Sequence, residues 1–391
     1  MAMTEEPNYY IPEDKDDVSI LRRVCHISLN RSATDRRVFY KECLTLADAG
    51  FEVSYVVVNQ DITNESPINL SSVNIAKRRL FFNKRANKAL FKKALSIHAE
   101  IYHIHEPALL PTALKLKEYG KRVIYGMHQD LENFKMTYHW SPKFLRKFFI
   151  GQYIQKEKLS IAQLDGIITD TPWLRKKMIA VHSIVVDACD FPRMEDYPNN
   201  LFQKESSNLA CYSNLDRSNH AKNLVEAIGL VDKDCQLIGK VRGKNLRKLL
   251  QKLPGWSHLI ELGKIGIEAR KNVFAQSKIG IIADRKNLYN QEKISSQLFE
   301  FLAAGIPIIA PNFEPTRKLL KDHKVGKFID TSDTNDYKKA IDYFYHNQNE
   351  LVQYSKNARQ AFEIDFNWKN EAKKYLIMYR KIASKEKYGY S

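Results

Sequence analysis

The chain has 391 residues, more than one hydrophobic core ordinarily serves and enough for two domains. Its 44% hydrophobic and 27% charged residues exclude a disordered chain, and no run approaches the ~20 apolar residues of a membrane span. A net charge of +17, from 62 Lys+Arg against 45 Asp+Glu, favours a polyanionic partner: nucleic acid, an anionic membrane surface or a phosphorylated substrate.

The N-terminal stretch "MAMTEEPNYYIPEDKDD" is polar and acidic and lacks the apolar segment of a secretion signal. Cys25, Cys43, Cys189, Cys211 and Cys235 are dispersed, without C-x-x-C or zinc-ligand spacing, which fits a reducing cytosol. The expectation is a cytoplasmic protein that meets a membrane, if at all, from the side.

From residue 23 onward, β-branched apolar runs alternate with helical patterns. Strands are expected at 23–29, 52–58, 101–105, 122–128, 166–170 and 183–187. The periodic stretch 36–50 reads as a helix closed by Gly50. Residues 191–208, polar with two prolines, read as a linker or domain edge. The alternation resumes at 209–214, 235–240, 259–264, 279–284 and 307–311, and 368–382 is an amphipathic helix. Tandem strand–helix units imply two parallel sheets wrapped by helices, with ligand bound beyond the strands' carboxyl ends.

The stretch "EKISSQLFEFLAAGIPIIAP" carries the most chemistry. Ser295 or Ser296 suits an N-cap, Gly305 a left-handed helix end, and Pro307 a stop before a buried strand. Glu300 reads as lying within the first helical turn, with the acid Glu292 eight residues earlier. The helix start, Ser295 to Leu298 through Ser296 and Gln297, offers N–H groups and a positive dipole end to a phosphate. Glu300 can accept bonds from a ribose diol, so the two acids can bracket a nucleotide-sugar. The plainer alternative is that Glu300 caps its helix and Glu292 is solvated.

The segments "LFEFLAAGIPIIAPNFEPTRKLL", "DRRVFYKECLTLADAGFEV", "IYHIHEPALLPTALKLKEYGKRVIYGMHQD" and "FNWKNEAKKYLIMYRKI" together resemble family-4 retaining glycosyltransferases, similar to the capsule and O-antigen (lipopolysaccharide) members. That resemblance implies the α/β GT-B fold: two Rossmann-like domains facing across a cleft, the C-terminal helix returning to the first. It places an acceptor domain at 18–190, joined by 368–391, and a donor domain at 205–366. It implies transfer of a sugar from a nucleotide-sugar, UDP-linked or similar, to a lipid-linked or surface glycan, with no cofactor and no metal. By resemblance, Glu300 would hold the ribose and Glu292 the transferring sugar. His128 would touch the donor sugar, and His105, Asp35 and Arg37 would lie toward the acceptor. His128 and His105 can equally be hydrogen-bonded core residues, and Asp35 an N-cap.

The sequence departs from the family pattern where the diphosphate binds. The usual Arg-Gly falls on Asn219-His220, the usual glycines after the strand are Ser213 and Asn214, and a common lysine is Gln297. Arg217, Lys222 and Lys293 are nearby substitutes out of register. Two other readings therefore stand beside the enzyme: a non-catalytic GT-B subunit or glycan-binding partner, and a sugar-nucleotide epimerase. The basic, aromatic-rich segments 77–95 and 141–158 suit an anionic membrane surface, or else a helix with a solvated basic face. Nothing resembles a nucleic-acid-binding signature.

Overall fold

The structure, a computed structural model, describes residues 23–383 apart from 63–65, 77–81, 139–142, 204–209, 232–234, 264–266, 288 and 291–293. Two compact units divide the chain. The first comprises residues up to His128, Gly151–Ala188 and the chain from Ala372; the second comprises Gln129–Ile150 and Cys189–Glu371.

The first unit holds a seven-stranded sheet: β1 (Arg23–Ile27), β2 (Glu52–Val58), β3 (Asn69–Val73), β4 (Ile101–Ile104), β5 (Arg122–Met127), β6 (Gly166–Thr169) and β7 (Val185–Asp187). Its spatial order is β3-β2-β1-β4-β5-β6-β7, and every pairing is parallel. The interior strands are buried on both faces, which is why they read as unbroken apolar runs. Helices Phe82–Leu95 and Leu110–Glu118 cover one face, contributing Ala86, Leu90, Ala94, Ala113 and Leu116 to the core.

The second unit holds six parallel strands: β8 (Ala210–Leu215), β9 (Gln236–Val241), β10 (Leu259–Glu261), β11 (Ile279–Ile281), β12 (Ile308–Pro311) and β13 (Gly326–Ile329). Their order is β10-β9-β8-β11-β12-β13. The order reverses between β1 and β4 in one unit and between β8 and β11 in the other. Those switch points are where open parallel sheets bind ligands.

Three features differ from the sequence expectation. Residues 36–50 do not form one α-helix: Val38–Cys43 is π-helical and only Leu44–Asp48 is α-helical, with Gly50 at φ +86° as the stop. Residues 191–203 are not a free linker, because Phe191 and Tyr197 are buried in the second unit's core. Residues 129–150 group with the second unit, where Phe134 meets Tyr289 edge-on at 5.4 Å.

Candidate functional site

At the carboxyl ends of β1, β4 and β5 the first unit gathers four histidines, His26 and His103 within β1 and β4 and His105 and His128 just past β4 and β5. His26 and His103 are fully buried and His105 is 3% exposed. His128 Nδ1 lies 3.0 Å from Asp170 Oδ1, and its Nε2 lies 3.2 Å from His105 Nδ1. His105 Nε2 is 2.9 Å from His26 Nδ1, and His26 Nε2 is 3.4 Å from the Tyr379 hydroxyl. Tyr379 reaches His103 Nδ1 at 2.8 Å and Tyr375 at 3.1 Å. Tyr375 in turn donates to Glu42 at 3.5 Å.

Arg37 closes this ring. Its Nε donates to Glu42 at 2.7 Å, its Nη2 to the Ala188 carbonyl at 2.9 Å, and its Nη1 lies 2.9 Å from Asp170. The π turn makes the first pairing possible. In an α-helix, residues five apart point ~140° apart; the wider turn, with the Glu42 N–H on the Arg37 carbonyl, brings the two side chains to one face. Burial favours the neutral form of three of them: it pushes His26 down to about 3, and His103 and His105 well below the ordinary histidine range.

Gly126 makes room for the cluster. A Cβ there would sit 2.8 Å from His103 Nε2, 3.0 Å from His128 Nε2 and 3.2 Å from His105 Nδ1. Ligand atoms of His26, Glu42, His103 and His105 lie within 4.8 Å of one another, a spacing that would admit a metal ion. Protein partners already engage most of those atoms: ring bonds ring, and Arg37 pairs with Glu42, while His103 Nε2 is buried without a hydrogen-bond partner among the described residues.

Asp35 sits at the entrance to the π turn, where its carboxylate accepts the N–H groups of Arg37 and Val38 at 3.0 and 2.9 Å. It also pairs with Arg31 at 3.2 Å. Glu106, just past β4, straps the loop after β1 by accepting from Ser28 Oγ and the Leu29 N–H, at 2.6 and 3.0 Å.

In the second unit, the helix Ser296–Ala303 follows Ser295 as N-cap, without a side-chain cap bond, and ends at Gly305 with φ +69°. Glu300 is therefore in the second turn and not the first, because the helix begins only at Ser296. It lies on the buried face at 8% exposure, and Arg270 Nη1 meets its two oxygens at 3.1 and 2.8 Å. Leu298 is buried, Gln297 half-buried and Ser296 exposed. Gln297 Oε1 accepts from Asn214 at 2.8 Å, while its Nε2 is buried without a partner among the described residues. Glu292 and Lys293 lie outside the described residues.

The loop after β8 is ordered by Asn219, 4% exposed. Its Oδ1 accepts from the N–H groups of Asp216 and Ala221, and its Nδ2 donates to the Asn214 carbonyl at 2.7 Å. Arg285 holds the Asn219 carbonyl at 2.7 Å. His220 precedes the helix Ala221–Ile228, and partial burial lowers its proton affinity. Arg217 and Lys222 are exposed. Sequence reasoning missed His26, Glu42, Asp170, Tyr375, Tyr379 and Arg270. Of these only His26, at the carboxyl end of the first strand, stood in the kind of position that singled out His105 and His128.

The basic segments divide similarly. Residues 77–81 lie outside the described residues, as do 141–142 and the side chains of 143–149. Helix Phe82–Leu95 buries Ala86, Leu90 and Ala94 and exposes Lys84, Arg85, Lys88 and Lys92. No helix among the described residues is long and apolar enough to cross a membrane.

Residues 193–361 match the protein family described as "Glycosyl transferases group 1". The putative glycosyltransferase YtcC of Bacillus subtilis (strain 168) is 26% identical over 131 residues, 33% of this chain; the match spans about a third, 31%, of that relative. Among solved structures, sucrose-phosphate synthase from Thermosynechococcus elongatus superposes with TM-score 0.72 at 15% identity, covering 92% of this chain and 99% of that one. A glycosyltransferase from Rickettsia africae ESF-5 gives 0.67 at 14%, covering 93% and 98%. An Escherichia coli structure titled trehalose-6-phosphate, bound with UDP-2-fluoro glucose, gives 0.68 at 12%, covering 92% and 99%. The two parallel-sheet units and these neighbours make the fold GT-B. The family match over 193–361 and the similarity to YtcC support a glycosyltransferase.

Proposed function

We propose that this chain is a retaining, metal-independent glycosyltransferase. It takes a UDP-sugar or similar nucleotide-sugar and extends a lipid-linked or surface glycan, of the capsule or lipopolysaccharide kind, at the cytoplasmic face of a membrane. The observation that carries the reading is the family match across 193–361, which contains the Glu300 helix.

In such a transfer, negative charge grows on the departing nucleoside diphosphate, so preorganised N–H donors and cations favour the transition state. The amide groups at the start of Ser296–Ala303, left unpaired within the helix as at any helix start, are suited to that charge. Arg217, Lys222 and Lys293 are the cations assigned to it. Glu300 takes the ribose diol: a carboxylate has about four acceptor positions, and Arg270 bonds its two oxygens from one side-chain nitrogen. Glu292 contacts the transferring sugar. His128 faces the donor sugar, with His105, Asp35 and Arg37 supporting the acceptor side. The departing phosphate accepts the acceptor's proton, so no carboxylate nucleophile is needed.

The test is transfer or donor hydrolysis with a panel of nucleotide-sugars, using wild type and Glu300→Gln. A turnover loss of at least tenfold in the variant is expected. Wild-type turnover in the variant, with no nucleotide raising the melting temperature of either protein, would refute the reading. One observation favours a second reading, a non-catalytic subunit: Asn219, where the family carries arginine, is buried and spent on ordering its own loop. No turnover together with no UDP- or GDP-induced melting shift would select it. Release of an altered nucleotide-sugar without an acceptor would select an epimerase.

A further inference from the structure

We propose that Asp170 is a positioning residue for His128, and that it sets which ring nitrogen carries the proton on His128, His105 and His26. The consequence for sugar transfer rests on the role proposed for His128; the protonation pattern does not.

The argument is one of donors and acceptors. Ionised Asp170 can only accept. Its Oδ1 faces both His128 Nδ1, at 3.0 Å, and the Arg37 guanidinium, at 2.9 Å. His128 Nδ1 must therefore carry a hydrogen, and while the ring holds only that one its Nε2 is an acceptor. The only ring nitrogen bonded to that Nε2 among the described residues is His105 Nδ1, at 3.2 Å, so it must donate. His105, neutral because it is buried, then has an accepting Nε2, and His26 Nδ1 donates to it at 2.9 Å. His26 Nε2 is left to accept from the Tyr379 hydroxyl at 3.4 Å. Tyr379 takes its own hydrogen bond from His103 Nδ1, at 2.8 Å, because the one hydroxyl hydrogen of Tyr375 goes to Glu42.

Each ring thus repeats the polarity of the one before, starting from the single charge at Asp170. Aligned bonds of this kind polarise one another, which strengthens the chain. Three histidines would share one pattern, Nδ1 protonated and Nε2 bare. His128 would consequently present a lone pair, never an N–H, toward the ring edge where a sugar hydroxyl could replace His105 as donor. The second tautomer would present the wrong group, a fault that can cost several orders of magnitude when an imidazole touches reacting atoms.

The experiment is two-bond 1H–15N NMR of the histidine side chains in the full chain, with Asp170→Ala and Asp170→Asn. Wild type should show Nδ1 protonated on His128, His105 and His26. Asp170→Ala removes the acceptor, and the three rings should lose the single pattern. Asp170→Asn keeps a carbonyl oxygen for both His128 and Arg37 and should retain it. Where transfer is measurable, kcat should fall on the order of 10²-fold in Asp170→Ala and recover in Asp170→Asn, with KM moving less. An Nε2-protonated His128 or His26 in wild type overturns the proposal, with or without a folded variant. An unchanged pattern in folded Asp170→Ala overturns it as well. Absence of transferase activity with the pattern intact would sink the functional reading and leave the Asp170 assignment standing.

Discussion

The buried histidines make stability depend on acid in a direction the structure fixes. His26, His103 and His105 are held neutral by burial, with the proton affinity of His26 pushed down to about 3 and the other two well below the ordinary range. In the unfolded chain each would titrate near ~6.5. Because the folded values are depressed, their neutral packing is fully favourable above ~6.5, and stability is lost as pH falls toward the folded values. Between pH 7 and pH 5 the unfolded chain gains about 0.7 proton per histidine that the folded chain refuses. Linkage puts that at about 2 kcal/mol each, or about 6 kcal/mol for three, against a typical total of ~5–15. Charging them in place is no escape, because their ring centroids are 4.3 to 5.1 Å apart. Urea unfolding followed by circular dichroism at pH 7, 6 and 5 checks this. The unfolding midpoint should move to markedly lower urea with each step. Midpoints changing by less than the equivalent of about 1 kcal/mol across that range would refute the idea that these rings are buried neutral.

Three substitutions probe the packing around the two switch points. Gly126→Ala would push a methyl into His103, His128 and His105 and should cost about 1–3 kcal/mol in urea; a wild-type midpoint would mean that the rings are not clustered as described. Arg359→Met should destabilise the second unit by at least about 2 kcal/mol, because Arg359 donates to the carbonyls of Tyr197, Asn199 and Ala303 at 2.9, 3.1 and 2.7 Å; an unchanged urea unfolding curve would count against that clamp. Arg270→Gln removes the cation from buried Glu300 and should shrink the UDP-induced melting shift, whereas a larger shift would show that Arg270 competes with the ribose.

Most strands were legible because interior parallel strands are apolar on both faces, as in β2 (EVSYVVV) and β4 (IYHI). The two that escaped, β3 (NLSSV) and β13 (GKFI), are edge strands, where polar residues and glycine are tolerated. The Glu300 helix was legible from Ser295 to Gly305, with its N-cap open between Ser295 and Ser296, but the acid was placed in the first turn where the structure has it in the second. His105 and His128 stood out because each closes an apolar run. Their partners did not, since Asp170, His26 and Tyr379 are brought together only by strand order and by a helix whose Tyr379 lies 353 residues downstream of His26. Arg37 and Glu42 were invisible as a pair for a different reason: an α-helical reading sets them on different faces, and only the π turn joins them.

The same logic restricts how the basic helix Phe82–Leu95 can serve the membrane association proposed above. Its sequence suits an amphipathic segment that sinks its apolar side into lipid. In the fold that side is already used: Ala86, Leu90 and Ala94 belong to the first unit's core, with Phe82 and Phe91 packed against it. Only the charged face remains, with Lys84, Arg85, Lys88 and Lys92 exposed. Attraction to an anionic surface through this helix must therefore be electrostatic, at ~1 kcal/mol per basic residue near the surface, and screened over ~10 Å at 0.1 M salt and ~3 Å at 1 M. Sedimentation with vesicles carrying about a third phosphatidylserine should capture the protein at low salt. Release should be nearly complete at 1 M, and replacing the four exposed basic residues by glutamine should weaken capture. Binding to neutral vesicles, or retention at high salt, would mean that an apolar surface enters the bilayer, which the packing of this helix forbids.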